Sequence, residues 1–262
     1  MTSKPVSPIT AVCLLLALGV AGCSTGETTR QPVPYKASGS GESAGVPSVT
    51  PGRSGADVLR ESLKALAQAG SWHMEVNGAN FDQDVSGDCV GNSTNQGYPA
   101  EVLKKRDEVW IRMRDAFWNA PQGRKIVAKL PDAKGKWIHG TTDSPSVAVS
   151  AAVIPCMFGE VGALEDGTRN AKATKGQVTD VDGVKAEPVR LTASNGQGDA
   201  TFYVAAEGKP LPLKITARSD SGLVTVVFSG FGKRFTVPPS PSAAQTVSVA
   251  EYEKASASAS VG

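Results

Sequence analysis

Thr201-Phe-Tyr-Val-Ala-Ala206, Leu211-Pro-Leu-Lys-Ile-Thr-Ala-Arg218 and Leu223-Val-Thr-Val-Val-Phe-Ser229 follow one another with only turn-forming residues between them. Apolar side chains recur at every second position (Phe202 and Val204, Leu213 and Ile215, Val226 and Phe228), the period of a strand with one face buried. Upstream, Lys175 to Val181 and Val184 to Thr192 have the same character, and the breaks fall at Asp182-Gly183, Asn195-Gly196, Glu207-Gly208 and Ser221-Gly222. Short turns of this kind join neighbouring antiparallel strands, so the region is a meander. Across Pro188 the apolar phase moves from Val184 and Ala186 to Val189 and Leu191. This predicts a bulge or an edge position, and bulges curve sheets.

Outward from the meander, the pattern changes toward the N-terminus. Ser54 precedes Val58, Leu59, Leu63, Leu66 and Ala67 at helical spacing, which predicts a capped helix ended by Gly70. Trp72, Met74 and Val76 then alternate with polar residues as a strand. Glu101 to Lys105 and Val109 to Arg114 form a hairpin around Arg106-Asp107, with Ile111 and Met113 on its apolar side. Asp115 to Trp118 starts a short helix, Lys136-Trp137-Ile138 is a brief strand, and Ser146 to Leu164 is an apolar stretch that Pro155 must kink or end. Helices and antiparallel strands in separate runs indicate an α+β fold.

The first 22 residues read as a signal peptide. Lys4 precedes an apolar core from Ala11 to Val20, too short to span a bilayer permanently. Val20-Ala21-Gly22-Cys23 resembles the bacterial lipobox, which implies an acylated Cys23 at the new N-terminus and a partner in the membrane itself. Residues 23–53 are Ser, Thr, Gly, Pro and Glu with few aliphatic side chains. Such a segment buries no core and is expected to be a disordered tether reaching on the order of 30 Å. Residues 54–237 form the folded domain, and the Ala/Ser-rich residues 238–262 are expected to fray. The expected location is the extracytoplasmic face of the cell membrane.

In this order, behind a lipobox and a tether, the chain resembles the LolA/LolB and LppX/LprG superfamily over about Ser54 to Val237. The particular likeness is to actinobacterial lipoproteins, in Val58-Leu-Arg-Glu-Ser-Leu-Lys-Ala-Leu66 running into Trp72-His-Met, in Lys136-Trp137-Ile138, and in Ala200-Thr-Phe-Tyr-Val204 followed by Leu211-Pro-Leu-Lys-Ile215. The resemblance implies a strongly curved antiparallel sheet, a half-open barrel wrapped around helices, in which a hydrophobic ligand such as a lipid or acyl chain is held between sheet and helices. It transfers no binding residue. The candidates for the lining, taken from the apolar strand faces, are Met74, Val76, Ile111, Met113, Phe202, Val204, Leu213, Ile215, Val226 and Phe228. An interaction or sensory module with a filled interior is the alternative, and an envelope enzyme with an unrecognised site is a third.

Composition narrows the chemistry. A formal net charge of +2 over 262 residues gives no field for nucleic acid. Cys89 and Cys156 are the two cysteines of the exported body; a disulfide is their natural pairing in an oxidising compartment, two separate buried thiols being the alternative. Gly41-Glu-Ser-Ala-Gly45 matches the nucleophile elbow of serine esterases, but it lacks the preceding strand and following helix that the elbow requires. His73 with Glu75, and His139, are the remaining candidates for acid-base work, and a solvated strand face is the simpler reading. Asp82, Asp84 and Asp88 lack the glycine register and terminal glutamate of a calcium loop. Lys104, Lys105, Arg106, Arg112 and Arg114 form a basic hairpin with the option of meeting lipid phosphate or wall polymer. Trp72, Trp110, Trp118 and Trp137 are large enough to line a cavity or fill a core. No cofactor, no metal site and no catalytic residue is expected.

Overall fold

The computed structural model describes residues 52–95, 97–144, 156, 161–192, 199–219 and 222–260. Its first element, α1 (Gly55–Ala69), is capped as the sequence predicts. Ser54 Oγ accepts from the Asp57 N–H at 3.2 Å, and the Asp57 carboxylate accepts from the Ser54 N–H at 3.2 Å and hydroxyl at 2.6 Å. This reciprocal pair satisfies donors that the helix itself leaves open. Together with the ion pair to Arg60, the Ser54 hydrogen bonds hold the Asp57 carboxyl down at about 2, from an ordinary value of 3.8. Gly70, at φ 78°, ends the helix.

Five strands follow: β1 (Ser71–Val76), β2 (Ala79–Asp84), β3 (Cys89–Asn95), β4 (Tyr98–Lys105) and β5 (Glu108–Met113). After α2 (Asp115–Asn119) and α3 (Pro121–Lys129) come β6 (Trp137–Thr141) and α4 (Val161–Thr168). The second meander is β7 (Lys172–Lys175), β8 (Thr179–Val181), β9 (Val184–Thr192), β10 (Asp199–Ala205), β11 (Pro212–Ser219) and β12 (Gly222–Ser229). β13 (Thr246–Ser248) and α5 (Val249–Ser260) complete the described chain.

The thirteen strands of the described residues belong to one sheet, in the order β13-β6-β5-β4-β3-β2-β1-β12-β11-β10-β9-β7, with β8 also paired to β9. The two meanders meet in the middle, where β1 pairs with β12 and Met74 faces Phe228. Neighbouring strands twist by some 20° relative to one another, so a sheet this wide must curl. It is curved and unclosed; β13 and β7 stand at its two ends. The sheet is therefore the expected curved half-open form, with one exception to its antiparallel pairing: β13 runs parallel to β6.

Several details differ from the sequence reading. The expected strand from Lys175 to Val181 is two pieces, β7 and β8, both paired to β9. Pro188, which has no N–H to give, falls where β9 changes partner from β8 to β7, and its carbonyl accepts from the Gly176 N–H at 2.8 Å. The bulge lies one strand further on, between Tyr203 and Val204 in the β10–β11 pair. β2 and β3 escape an apolar-alternation search because Asn80, Asp82, Asp84, Asn92 and Thr94 are polar on the outward side. Their signal was the turn Asn77-Gly78, with φ of 48° and 85°, the left-handed pair of a two-residue hairpin. Gly91 in β3 permits close packing: a Cβ there would lie 2.2 Å from the Asn80 carbonyl and 2.4 Å from the Phe81 ring.

The largest correction concerns residues 238–262. They do not fray over 238–260. After β12 the chain holds on to the start of β1, where Ser71 Oγ donates to the Lys233 carbonyl at 2.7 Å and the Gly232 N–H to the Ser71 carbonyl at 2.8 Å. It then passes Pro238–Pro241 along the outer side of β3 to β6, adds β13 to the sheet edge, and packs α5 against α3 and β6. Val247 and Ala255 are buried in the main core. The composition misled because few apolar residues suffice: one valine in a three-residue strand and a helix of small side chains against an existing surface. Residues 1–51, including the signal peptide, Cys23 and most of the tether, lie outside the described residues. The last tether residue, Arg53, pairs with Glu61 at 2.5 Å and with Glu187 at 3.1 Å, so the folded unit begins at least one residue earlier than Ser54.

A chain ended after Val237 is expected to lose at least about 3 kcal/mol of stability, since it uncovers the core at β6 and the outer side of β3 to β5; an unchanged melting temperature would mean that the C-terminal segment is only loosely attached. Ser54→Ala is expected to lower the melting temperature by a few degrees at pH 7. The Asp57 carboxyl is held below its ordinary value, so its contribution is present above pH 3.8 and fades as pH falls toward 2. The difference between wild type and Ser54→Ala should shrink over that window, and a constant difference would contradict the assignment.

Candidate functional site

Residues opposite one another in a sheet share a face, so the register traces what each face presents. One row runs Val247, Ile138, Ile111, Val102, Gly91, Phe81, Met74, Phe228 across eight strands. A second runs Ala79, Val76, Val226, Ile215, Phe202, Val189 through the other half. Apart from Gly91, over which Phe81 lies, every member is apolar. These rows form the inner face, and they share one core cluster with Val58, Leu59, Leu63 and Leu66 of α1, Phe117 and Trp118 of α2 and Ile126 of α3. α1 lies against β1, β7, β9, β10 and β11, while α2 touches β4 and α5 touches β6.

The ten lining candidates divide clearly. Met74, Ile111, Met113, Phe202, Val204, Ile215 and Phe228 are all buried members of that cluster, and Val226 packs on it half-buried. Val76 and Leu213 are half-buried. Leu213 is the residue skipped at the bulge, since Tyr203 pairs with Lys214 and Val204 with Pro212.

At one end the inner face turns polar, with Trp72, Gln83, Cys89, Lys104 and Val109 in one row. Cys89 is bonded to Cys156, Cα to Cα 5.8 Å, and Gln83 Nε2 donates to the Cys156 carbonyl at 3.0 Å. Lys104 Nζ donates to the Gly87 carbonyl at 2.9 Å. The Gln83 Oε1, the Trp72 Nε1 and the Ser62 Oγ are buried without a hydrogen-bond partner among the described residues. The sequence reading placed Lys104 on a solvated basic hairpin; it is instead 2 % exposed on the inner face. Arg112 and Arg114 are not free either, because both pair with Glu101. Lys105 and Arg106 alone keep the surface role.

The outer face holds the remaining candidates. His73 Nδ1 is 2.9 Å from Asp82 Oδ1, and its Nε2 is 4.0 Å from Glu75. His139 pairs with Glu108 and stacks on Trp110 at 4.9 Å. Asp84 Oδ1 accepts from Ser86 N at 2.9 Å and Asp88 N at 3.2 Å, and Asp88 Oδ1 from Arg106 N at 3.2 Å, the bonds of a solvated turn. No group of three or more His, Cys, Asp or Glu side chains with ligand spacing occurs among the described residues. The esterase-like Gly41 to Gly45 lies outside them. Of the tryptophans, Trp72 and Trp118 are core, the latter donating to the Met113 carbonyl at 3.0 Å; Trp110 and Trp137 are on the outer face.

Sequence reasoning missed a groove of about 460 Å³ on this outer face. Its floor is Val90, Gly91, Asn92, Glu101, Val102 and Leu103, one wall is Arg112 and Trp137, and the other is Pro238–Pro241 with Gln245. Arg112 lies 4.6 Å over the Trp137 ring. The clue in the sequence was Pro238-Pro239-Ser240-Pro241, a stiff segment that spans a gap without hydrogen bonds of its own.

No protein-family model matches the chain, and no curated protein does. Among solved structures it is similar to LprF from Mycobacterium bovis, with 14% identity and a TM-score of 0.47 over 71% of this chain and 96% of that one. It is similar also to the lipoprotein LppX from Mycobacterium tuberculosis, with 13% identity and a TM-score of 0.46 over 69% and 96%. A LolA superfamily protein from Nitrosomonas europaea matches with 9% identity and a TM-score of 0.29 over 70% and 95%. These are likenesses of shape and bring neither a ligand nor a role to this chain.

The disulfide closes a separation of 67 residues, for which loop entropy alone gives about 4 kcal/mol. Replacing Cys89 and Cys156 together by Ala is therefore expected to lower the melting temperature markedly, and an unchanged transition would contradict a structural bond.

Proposed function

We propose that this is a non-enzymatic lipoprotein of the cell envelope, anchored through Cys23 on the extracytoplasmic face of the membrane, whose curved sheet binds a hydrophobic ligand against its helices. The observation that carries the reading is the inner face: two register rows spanning the sheet with no charged member between Val247 and Val189. A curved apolar surface has to be filled, and helices fill it only as far as their side chains reach. An acyl chain or lipid is the kind of molecule that completes such a surface, since each buried methylene contributes about 0.8 kcal/mol. The non-enzymatic reading is supported by where the titratable groups stand. His73 and His139 are on the outer face, each occupied by a carboxylate neighbour, and no described hydroxyl hydrogen-bonds to either ring, Ser229 opposite His73 included.

A filled interior is the second reading, favoured by the burial of seven of the ten lining candidates within one packed cluster. Protein taken from its own host and measured by native mass spectrometry separates the two. The first reading expects an adduct that organic extraction removes and identifies as lipid; a bare polypeptide mass leaves the second. Cys23→Ala is expected to abolish partition into the detergent phase, and retention there would contradict the anchor.

A further inference from the structure

The outer groove faces away from the inner lining and is independent of the function proposed above. We infer that it binds a neutral, polyhydroxylated ligand of the saccharide class. At about 460 Å³ it has the size of small-ligand clefts, and its chemistry is mixed in a particular way. Val90 and the half-buried Trp137 ring supply apolar surface of the kind that meets the C–H face of a sugar ring.

Around that surface stand uncommitted polar atoms of both kinds. The Asn92 side chain is exposed and makes no hydrogen bond with a described residue, so its amide offers two donors and an acceptor. Gln245 spends its Oε1 on the Ser242 N–H and hydroxyl, both at 3.0 Å, and keeps Nε2 as a donor. Arg112 gives Nε and Nη2 to Glu101 and keeps Nη1. Pro238–Pro241 cross the sheet without hydrogen bonds to described residues, which leaves their carbonyls as acceptors along the opposite wall.

Other ligand classes fit less well. The lining carries one cation and one anion, Arg112 and Glu101, and these pair with each other, so nothing selects a phosphate or a carboxylate. An extended peptide needs free backbone groups, and the floor belongs to β3 and β4, whose ladders there are each paired on both sides. A hydrocarbon chain would strand the Asn92, Gln245 and Arg112 donors against apolar surface. Adjacent donors and acceptors around an aromatic ring match vicinal hydroxyls.

The test is a titration of the purified exported chain with maltose and with N,N′-diacetylchitobiose, read by the indole N–H signal of Trp137 in nuclear magnetic resonance and assigned with Trp137→Phe. A saturable shift with at least one sugar is expected, with a dissociation constant on the order of 1 mM. Trp137→Ala, followed by the side-chain amide signals of Asn92 because the reporter indole is gone, should show no saturable shift. Asn92→Ala, at an exposed position with no side-chain hydrogen bond to a described residue, should weaken binding by roughly twofold to tenfold and carries the test should Trp137→Ala fail to fold. Leu223→Ala, at an exposed position on β12 outside the groove, should leave it unchanged. No saturable shift with either sugar, undiminished binding in Asn92→Ala, or tighter binding of glucose 6-phosphate than of the neutral sugars would each overturn the inference.

Discussion

An apolar inner face that no single helix can cover is the constraint on which the rest of this structure depends. The register carries Val247, Ile138, Ile111, Val102, Phe81, Met74 and Phe228 across the sheet on one side, and water must be kept from all of them. Curvature solves part of the problem by bringing distant strands around a shared interior. α1 fills the half built on β1 and β9 to β11, while α2, α3 and α5 serve the half built on β4 to β6. A slip of one residue in any pairing would turn the whole row outward, which is why the register is so strongly specified.

An open sheet also leaves edges and an outer face. At one edge β13 covers β6, and its three residues are too short to offer a template for further pairing. At the other, β9 is shielded by β7 and β8 in turn. Glu187, 7 % exposed beside that switch of partners, pairs with Lys175 at 2.8 Å and with Arg53 at 3.1 Å, so the edge is pinned to the point where the chain enters the domain. The C-terminal segment thus does two things in one pass: it walls a groove outside the sheet and seals a strand edge and a helix surface beyond it.

Much of this was legible in the residues, and the failures have physical causes. β9 carries the very limits that its alternation predicts, and the Ser54 cap and the Gly70 stop lie where the helix signals put them. Seven of the ten residues taken from apolar strand faces are buried in the core cluster, because alternation is read by the sheet as it is written in the chain, whereas Leu213 falls out of the pattern at the bulge. What alternation does not encode is two-sided context. β2 and β3 have polar outward residues and a glycine at the centre, so only Asn77-Gly78 betrayed them. Lys104 looked solvated because a lysine in a basic run usually is; its burial depends on the Gly87 carbonyl, which only the fold brings near. The C-terminal segment owes its order to a surface made elsewhere, and no local property of an Ala/Ser-rich helix announces that. The outer groove joins β3 to β6 with Pro238–Pro241, residues more than a hundred positions apart for β3, and was out of reach for the same reason.

Amide hydrogen exchange on the intact exported chain tests the central claim most directly, because it reads whether one inner face holds the two meanders and the C-terminal segment together. Amides of β6, β13 and α5 are expected to exchange slowly and to lose protection together with those of β1 and β12 as denaturant rises. Exchange of β13 and α5 at the rate of an unstructured chain, while β1 and β12 stay protected, would contradict it.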